Sequence, residues 1–441
     1  MRRIEYINST KGQIHQRFKR RIRRIYLDVK QEPKGKNSIS LEEKIAFQQQ
    51  IINKMKNYKR RYFRSPLILK IDFYCNQDNP PGIHTLAKNY LDLLEKPVTT
   101  GFHRKRVLYE NDRNIKILIV GYHLKSELRK SEILIEADTL SNFLIDLLLL
   151  NKIKNNDFSD ANHLFTLDHS QRYESIHEDS YNYHETGFEL VDLRRNKTLF
   201  MNKFGEDTYK ILLDFAIWYN QRKFLSLSRI NVKKLLLLFY NLIEQKELAG
   251  GISSSDIINE YIIDRDLIVF PPFSIDLTHI PTREGDRLSF KENISNSLND
   301  FKRTYPIMYP LRTLLSVSIL CIPPRIQGID LDNLARYIIP LVNDILKPLS
   351  YYQFTIGIDN IKDRSLKEKY EKELKNARRI PKHSVTRYQI IEIPRLDKDL
   401  PEGQVWLILE NGEDPESIWE KVDKSIDKWE KDIEDVIYIL R

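Results

Sequence analysis

Little in this chain declares its chemistry at first sight. Its 441 residues include only two cysteines, Cys75 and Cys321, both inside runs rich in β-branched residues. A thiol in that setting acts as a small buried hydrophobe, and two such positions exclude a disulfide framework or a zinc site. Glycine is sparse at 14 residues, and Gly-x-x-x-x-Gly-Lys-(Ser/Thr), Gly-x-Gly-x-x-Gly and Gly-x-Ser-x-Gly are all missing. Nucleotide hydrolysis and serine-hydrolase chemistry are therefore without support. The longest apolar runs, Leu147–Leu150 and Leu235–Tyr240, fall far short of the roughly 20 residues a bilayer span requires, and no early apolar stretch resembles a secretory signal. The expectation is a soluble, cytoplasmic protein with no membrane partner. At 41% hydrophobic and 30% charged, the composition is that of an ordinary folded chain of two or three domains.

Charge is present but unevenly placed. Residues 1–64 hold 19 Lys and Arg against 5 Asp and Glu, a net of +14, which leaves −5 for the rest. Arg17, Lys19, Arg20, Arg21, Arg23 and Arg24, then Lys59, Arg60, Arg61 and Arg64, alternate with Phe18, Tyr26, Tyr58, Tyr62 and Phe63. Such a stripe neutralises phosphates while its aromatics stack on unpaired bases. The competing reading is a solvated helix face.

The chain also repeats itself. Ile25-Tyr26-Leu27-Asp28-Val29 leads through Pro33 into Ser40-Leu41-Glu42-Glu43, and Phe273-Ser274-Ile275-Asp276-Leu277 leads through Pro281 into Ser289-Phe290-Lys291-Glu292. Each reads as a strand, a turn and a capping box, with Ser40 and Ser289 at matching helix starts. Basic-aromatic segments follow, then strands Leu67–Cys75 and Leu314–Ile322, each running into Pro-Pro. Helices over 84–96 and 331–347, strands Ile115–Tyr122 and Val385–Ile393, short strands Glu132–Glu136 and Val405–Glu410, and closing helices over 139–153 and 415–439 complete the two series. A charged helical insertion at 361–379 interrupts the second. Residues 156–265 read as a helical connector that opens with His163, His169, His177 and His184, whose separations of 6, 8 and 7 fit no metal-ligand pattern.

The second copy holds the strongest chemical signal, Gly328-Ile329-Asp330-Leu331-Asp332-Asn333-Leu334-Ala335-Arg336. In extended backbone Asp330 and Asp332 project to one side, so two carboxylates converge at the mouth of a helix, a donor set suited to Mg²⁺ or Mn²⁺ and to phosphodiester hydrolysis. Arg336, one turn on, is placed to hold a phosphate oxygen. Asp359, in Gly357-Ile358-Asp359-Asn360, is the candidate third ligand, with Asp344 behind it. The plainer reading of Asp330 and Asp332 is a turn followed by a helix cap.

Asp-x-Asp-Asn-Leu-x-(Lys/Arg), after an apolar strand with prolines and before an amphipathic helix and an Asp-(Asp/Asn) step, resembles the RusA-like endodeoxyribonucleases, the Holliday-junction resolvases. That resemblance implies Mg²⁺-dependent cleavage of branched DNA by a small α+β domain that works as a homodimer. It implies metal-binding acids at Asp330, Asp332 and Asp359, with Arg336 where the family has Lys and Asn360 in place of a second acid. In the first copy Gly82 and His84 stand where the two acids would be and Thr85 replaces the Asn. Lys88 keeps the family's Lys, and Asn111-Asp112 keeps one acid of the step. The expected architecture is thus α+β, two RusA-like domains forming a pseudo-dimer in one chain. A degenerate domain with the basic arm, expected to bind DNA with Lys88 among its contacts, spans 1–155, the helical connector 156–265, and the domain with the metal site, expected to cut the DNA, 266–441. The expected activity is a structure-specific DNA endonuclease acting at one site per chain, hence a nickase unless the chain forms a homodimer or joins a larger DNA-processing assembly. The alternative is a non-catalytic DNA-binding or scaffold protein on the same fold. A third possibility is an interaction module using the acidic helix Glu413–Asp435, whose apolar positions Ile418, Val422, Ile426, Trp429 and Ile433 equally suit packing on its own domain.

Overall fold

Strand pairing organises the molecule. The computed structural model describes residues 3–59, 61–77, 80–124, 130–160, 190–228, 274–278, 286–326, 330–346, 384–396, 398–413 and 415–439, with isolated positions between them. The first part of the chain supplies β1 (Ile25–Val29), β2 (Leu67–Cys75), β3 (Ile115–Leu124) and β4 (Glu132–Thr139). The last part supplies β5 (Ser274–Thr278), β6 (Leu315–Ile322), β7 (Val385–Glu392) and β8 (Gln404–Asn411). All eight join one mixed sheet in the order β1-β4-β2-β3-β7-β6-β8-β5. The order reads the same from either edge once each strand is exchanged for its counterpart.

Pairing sense and register follow the same rule. β2 runs parallel to β3, and β6 to β7, and each of these pairs carries one register shift after its first residue, at Leu67/Ile68 and at Leu315/Ser316. Every other pairing is antiparallel. The halves meet along β3 and β7, where Ile119 faces Gln389. Those two residues stand opposite Lys70 and Ser318, each the third position after its half's shift. An approximate twofold in topology therefore passes through the seam. Because the seam is antiparallel, the segment entering β3 lies at the same end of the sheet as the turn leaving β6.

Eleven named helices complete the described residues: α1 (Arg3–Asn8), α2 (Thr10–Arg21), α3 (Leu41–Asn57), α4 (Ile83–Glu95), α5 (Leu140–Asn155), α6 (Leu190–Arg195), α7 (Lys197–Phe204), α8 (Glu206–Leu227), α9 (Asp286–Thr304), α10 (Leu331–Leu346) and α11 (Ile418–Ile439). α3, α4, α9 and α10 bury Phe47, Leu86, Ile294 and Ile338 against one sheet face. α5 and α11 bury Phe143, Leu147, Ile418, Val422 and Ile426 against the other. Covered on both sides, β2 and β6 are buried through nearly their whole length, which is why they read as continuous apolar runs. In the connector, Gln221 on α8 clamps the second half: its amide donates to Ile307 O (2.7 Å) and Pro310 O (2.9 Å), and its carbonyl accepts from Arg312 N (2.7 Å).

Local chemistry accounts for the boundaries. Ser40 and Glu43 form the reciprocal capping box, and α3 begins at Leu41. Ser289 does not play that part: α9 already starts at Asp286, so Ser289 lies inside the helix. Edge strand β1 is blunted by side chains, since Tyr58 Oη accepts from Tyr26 N and donates to Tyr26 O, both at 3.1 Å, and the Lys54 ammonium donates to Asp28 O. Ser297 on α9 donates to Asp276 O of the other edge strand, β5, at 3.3 Å. Free edges are the usual sites of unwanted strand pairing, and these contacts occupy them.

Candidate functional site

At the seam, α4 of the first half packs against α10 of the second. Asp330 precedes α10 and Asp332 lies in its first turn. Asn333 N donates to Asp330 O at 3.0 Å and its side-chain amide to Asp330 Oδ2 at 3.4 Å, so the turn that caps the helix also aims the Asp330 carboxylate. Asp332 is 3% exposed.

The cation that meets Asp332 comes from across the seam. Lys88 on α4 places its ammonium 2.9 Å from Asp332 Oδ2 and 3.1 Å from Asp92 Oδ1. Arg113, which leads into β3, lies 3.5 Å from Asp330 Oδ1, an oxygen no hydrogen bond reaches. Burial pushes the Asp332 carboxyl up, as do Asp112 and Asp92, against the pull of Lys88. Burial and then Asp330 push the Asp112 carboxyl up in turn. Burial works against the charge on Lys88, but Asp332 and Asp92 outweigh it and hold the ammonium above its ordinary range. Tyr388 on β7, raised by burial and by Asp332, completes the surroundings.

The expected site is thus reassembled. Asp330 stands in the turn before α10 and Asp332 inside its first turn, not in the extended backbone the expectation assumed, and each meets a cation from the other half, Arg113 and Lys88 respectively. Asp359 lies outside the described residues, and the other half contributes Asp112 and Asp92, whose charges both act on Asp332. Arg336 touches neither carboxylate: it is exposed and lines a groove between α9 and α10. Lys88, its counterpart by helix position, makes the cross-seam contact instead. His84 stands where Asp332's counterpart would be, so Arg336 has no equivalent carboxylate to pair with. The sequence kept Lys88 and Asp112 in view but assigned them to the degenerate half, Lys88 as a DNA contact; the antiparallel seam, invisible in any one copy, is what brings Lys88 to Asp332 and Arg113, beside Asp112, to Asp330.

Among the described residues no group of three or more His, Cys, Asp or Glu side chains is arranged to hold a metal ion. The donors at the helix mouth are two carboxylates: Asp330 Oδ1 accepts no hydrogen bond, and Asp332 Oδ2 faces the Lys88 ammonium. That fits Mg²⁺ or Mn²⁺, hard cations that keep several waters and take one or two protein carboxylates.

The basic arm divides. Arg17 is wholly buried and meets Asp423 at 3.2 Å, Asp427 at 2.6 Å and Glu430 at 3.0 Å on α11. Arg20 meets Asp146 at 2.6 Å, and Arg24 pairs with Asp423 while its guanidinium covers the Trp419 ring at 4.6 Å. Arg21, half exposed, shares Asp427 at 2.7 Å. Arg17, Arg21 and Arg24 clasp this segment to α11 and Arg20 joins it to α5, so these four of the expected DNA contacts, and Lys88 as a fifth, are engaged within the molecule. Lys19, Arg23, Lys59 and Arg61 remain exposed, and Arg60 lies outside the described residues. The apolar face of the acidic helix packs within the molecule: Ile418, Val422, Ile426, Trp429 and Ile433 are all buried. Both cysteines are free and buried, and no described helix is long and apolar enough to cross a membrane.

Compared with known proteins, the chain matches no family model, no curated protein and no solved structure.

Proposed function

We propose that the chain is a Mg²⁺-dependent, structure-selective DNA endonuclease built as a pseudo-dimer of RusA-like halves, with one composite site at their seam. The observation that carries this reading is the meeting across the seam of buried Asp332 with Lys88 and of Asp330 with Arg113, with the charge of Asp112 acting on Asp332. A structural cap needs neither the burial nor the cross-seam cation. The mirrored strand order and matched register shifts support the two-half reading.

In this account Asp330 and Asp332 hold the cation, which when bound supplies charge neutralisation and an activated water. Lys88 orients Asp332 and places positive charge where the phosphate gathers negative charge in the transition state. Asp112, with its carboxyl raised, is the group suited to hold a proton beside the reacting oxygens. Arg113 steadies Asp330. Exposed Lys19, Arg23, Lys59 and Arg61 contribute phosphate contacts that are independent of sequence.

A second reading, a non-catalytic DNA-binding scaffold, is favoured by the Lys88–Asp332 pair itself, since an ammonium beside the carboxylate also neutralises it without a metal. One experiment separates the two: labelled four-way, forked and linear DNA incubated with the protein or its Asp332→Asn variant, in Mg²⁺ or EDTA. Cleavage of branched DNA that needs both Mg²⁺ and Asp332 is the expected outcome, with the variant slower by at least about 10²-fold. Binding without cutting under every condition assigns the scaffold.

A further inference from the structure

The groove beside the carboxylates carries an assignment of its own. It has a volume of about 330 Å³ and is lined by Arg287 and Leu288 at the start of α9, Lys291 one turn on, and Asn333, Arg336 and Tyr337 of α10. Two of the lining cations, Lys291 and Arg336, make no ion pair among the described residues, and none of the six lining residues is an acid. Elsewhere buried or grooved cations are matched: Arg17 by Asp423, Lys70 by Glu136 and Glu420, Arg312 by Asp214. Here the Lys291 ammonium sits over the Tyr337 ring at 5.7 Å, and Arg336 meets no carboxylate among the described residues. Tyr337 is held in turn by an edge-on contact with Phe290 at 6.1 Å and 85°. Concentrated like charge is costly unless an anion answers it. The wall shared with the candidate site is Asn333, whose amide reaches Asp330 Oδ2.

We propose that this groove is a phosphate subsite that seats the backbone of a nucleic-acid strand next to Asp330. The inference rests on the reading of Asp330 and Asp332 as the reacting centre for its purpose, but its chemistry is recognition alone. Arg336 and Lys291 contact phosphate oxygens, Asn333 marks the boundary with the reacting group, and the Tyr337 ring, covered by Lys291, serves as a platform for that cation. The cations are not repeated in the first half: Glu42 stands where the capping-box alignment places Lys291, and Lys88, at the position of Arg336, is committed to Asp332 and Asp92. The asymmetry gives the strand one direction of approach.

The test is binding measured apart from cleavage, by fluorescence anisotropy of labelled single-stranded and four-way-junction DNA in EDTA across 50–300 mM salt. Wild type is compared with K291A/R336A, the conservative K291R/R336K, and R364A as a control that removes exposed charge elsewhere. Lys291, Arg336 and Arg364 are exposed, so folding is not at stake, and unchanged circular dichroism and melting verify it. We expect K291A/R336A to weaken binding about tenfold or more and to flatten the salt slope by about 2, K291R/R336K to restore both, and R364A to change neither. Equal losses in K291A/R336A and R364A, or no loss in the former, overturn the subsite. A second arm titrates inorganic phosphate and a 5′-mononucleotide: thermal stabilisation that depends on Arg336, without loss of strand binding in K291A/R336A, assigns the groove to a free small anion and overturns the strand. Loss of binding in K291A/R336A with no cleavage by wild type would retain the subsite and reject the nuclease, so the two claims fail separately.

Discussion

Charged residues inside this molecule work in answered sets, and the set beneath the sheet makes the pH behaviour calculable. Lys70 lies 3.1 Å from Asp72, 3.1 Å from Glu136 and 2.8 Å from Glu420. Arg387, from the other half, pairs with Glu420 and approaches Asp72 at 3.8 Å, while His123 lies 3.5 Å from Asp72. Gly121 is dictated by this cluster, since a Cβ there would come within 1.9 Å of Asp72 Oδ1. Burial pushes Glu420 up, yet Arg387 and Lys70 outweigh it and bring the carboxyl from 4.5 down to about 2; burial pushes Asp72 up as well, and His123 first, then Lys70 and Arg387, outweigh it and lower the carboxyl. A folded value below the unfolded one means stability that is complete above the unfolded carboxyl range and is lost as pH falls from about 4.5 toward 2. Asp138, Asp146 and Glu392, raised by burial, work in the opposite sense and soften the slope. Glu420→Gln is expected to cost on the order of 2–3 kcal/mol at neutral pH and to flatten the fall in melting temperature between pH 5 and 3. A variant whose acid profile parallels wild type contradicts the assignment.

At the scale of elements, the contact that matters is α4 against α10. If Lys88 and Asp332 couple the halves, Lys88→Met leaves a buried carboxylate unanswered and lowers stability by about 2–4 kcal/mol. Adding Asp332→Asn should then recover at least about 1 kcal/mol, a coupling that urea unfolding of the double-mutant cycle measures. Strict additivity would mean the pair carries no energy. Element by element, much of this was readable. Leu67–Cys75 and the starts of α3 and α10 fall where alternation, capping and the Pro-Pro turns put them, because those signals are local. Ser289 misled because a capping pattern cannot say which of two nearby starts the tertiary contacts select. Arg17, Arg20 and Arg24 misled for a deeper reason. Their partners, Asp423, Asp427, Glu430 and Asp146, lie more than a hundred residues away, and a charge count along the chain cannot distinguish a surface stripe from a clasp. Arg287, Lys291 and Tyr337 escaped notice because only the packing of α9 on α10 makes them neighbours.

Over the whole molecule, the seam decides what the chain can do. A symmetric dimer would own two sites, one for each strand of a branched duplex. Here only the second half contributes the paired carboxylates, and Gly82 and His84 occupy the counterpart positions, so the account allows one reacting centre per chain. The most direct test is to incubate a supercoiled plasmid bearing an extruded cruciform with protein shown to be monomeric, in Mg²⁺, and to follow the products over time. The account predicts an open circle that accumulates and persists, cut in one strand at the junction and absent with Asp332→Asn. Linear product formed by paired symmetric cuts with no nicked precursor, or a plasmid left supercoiled while the protein is bound to it, would contradict it.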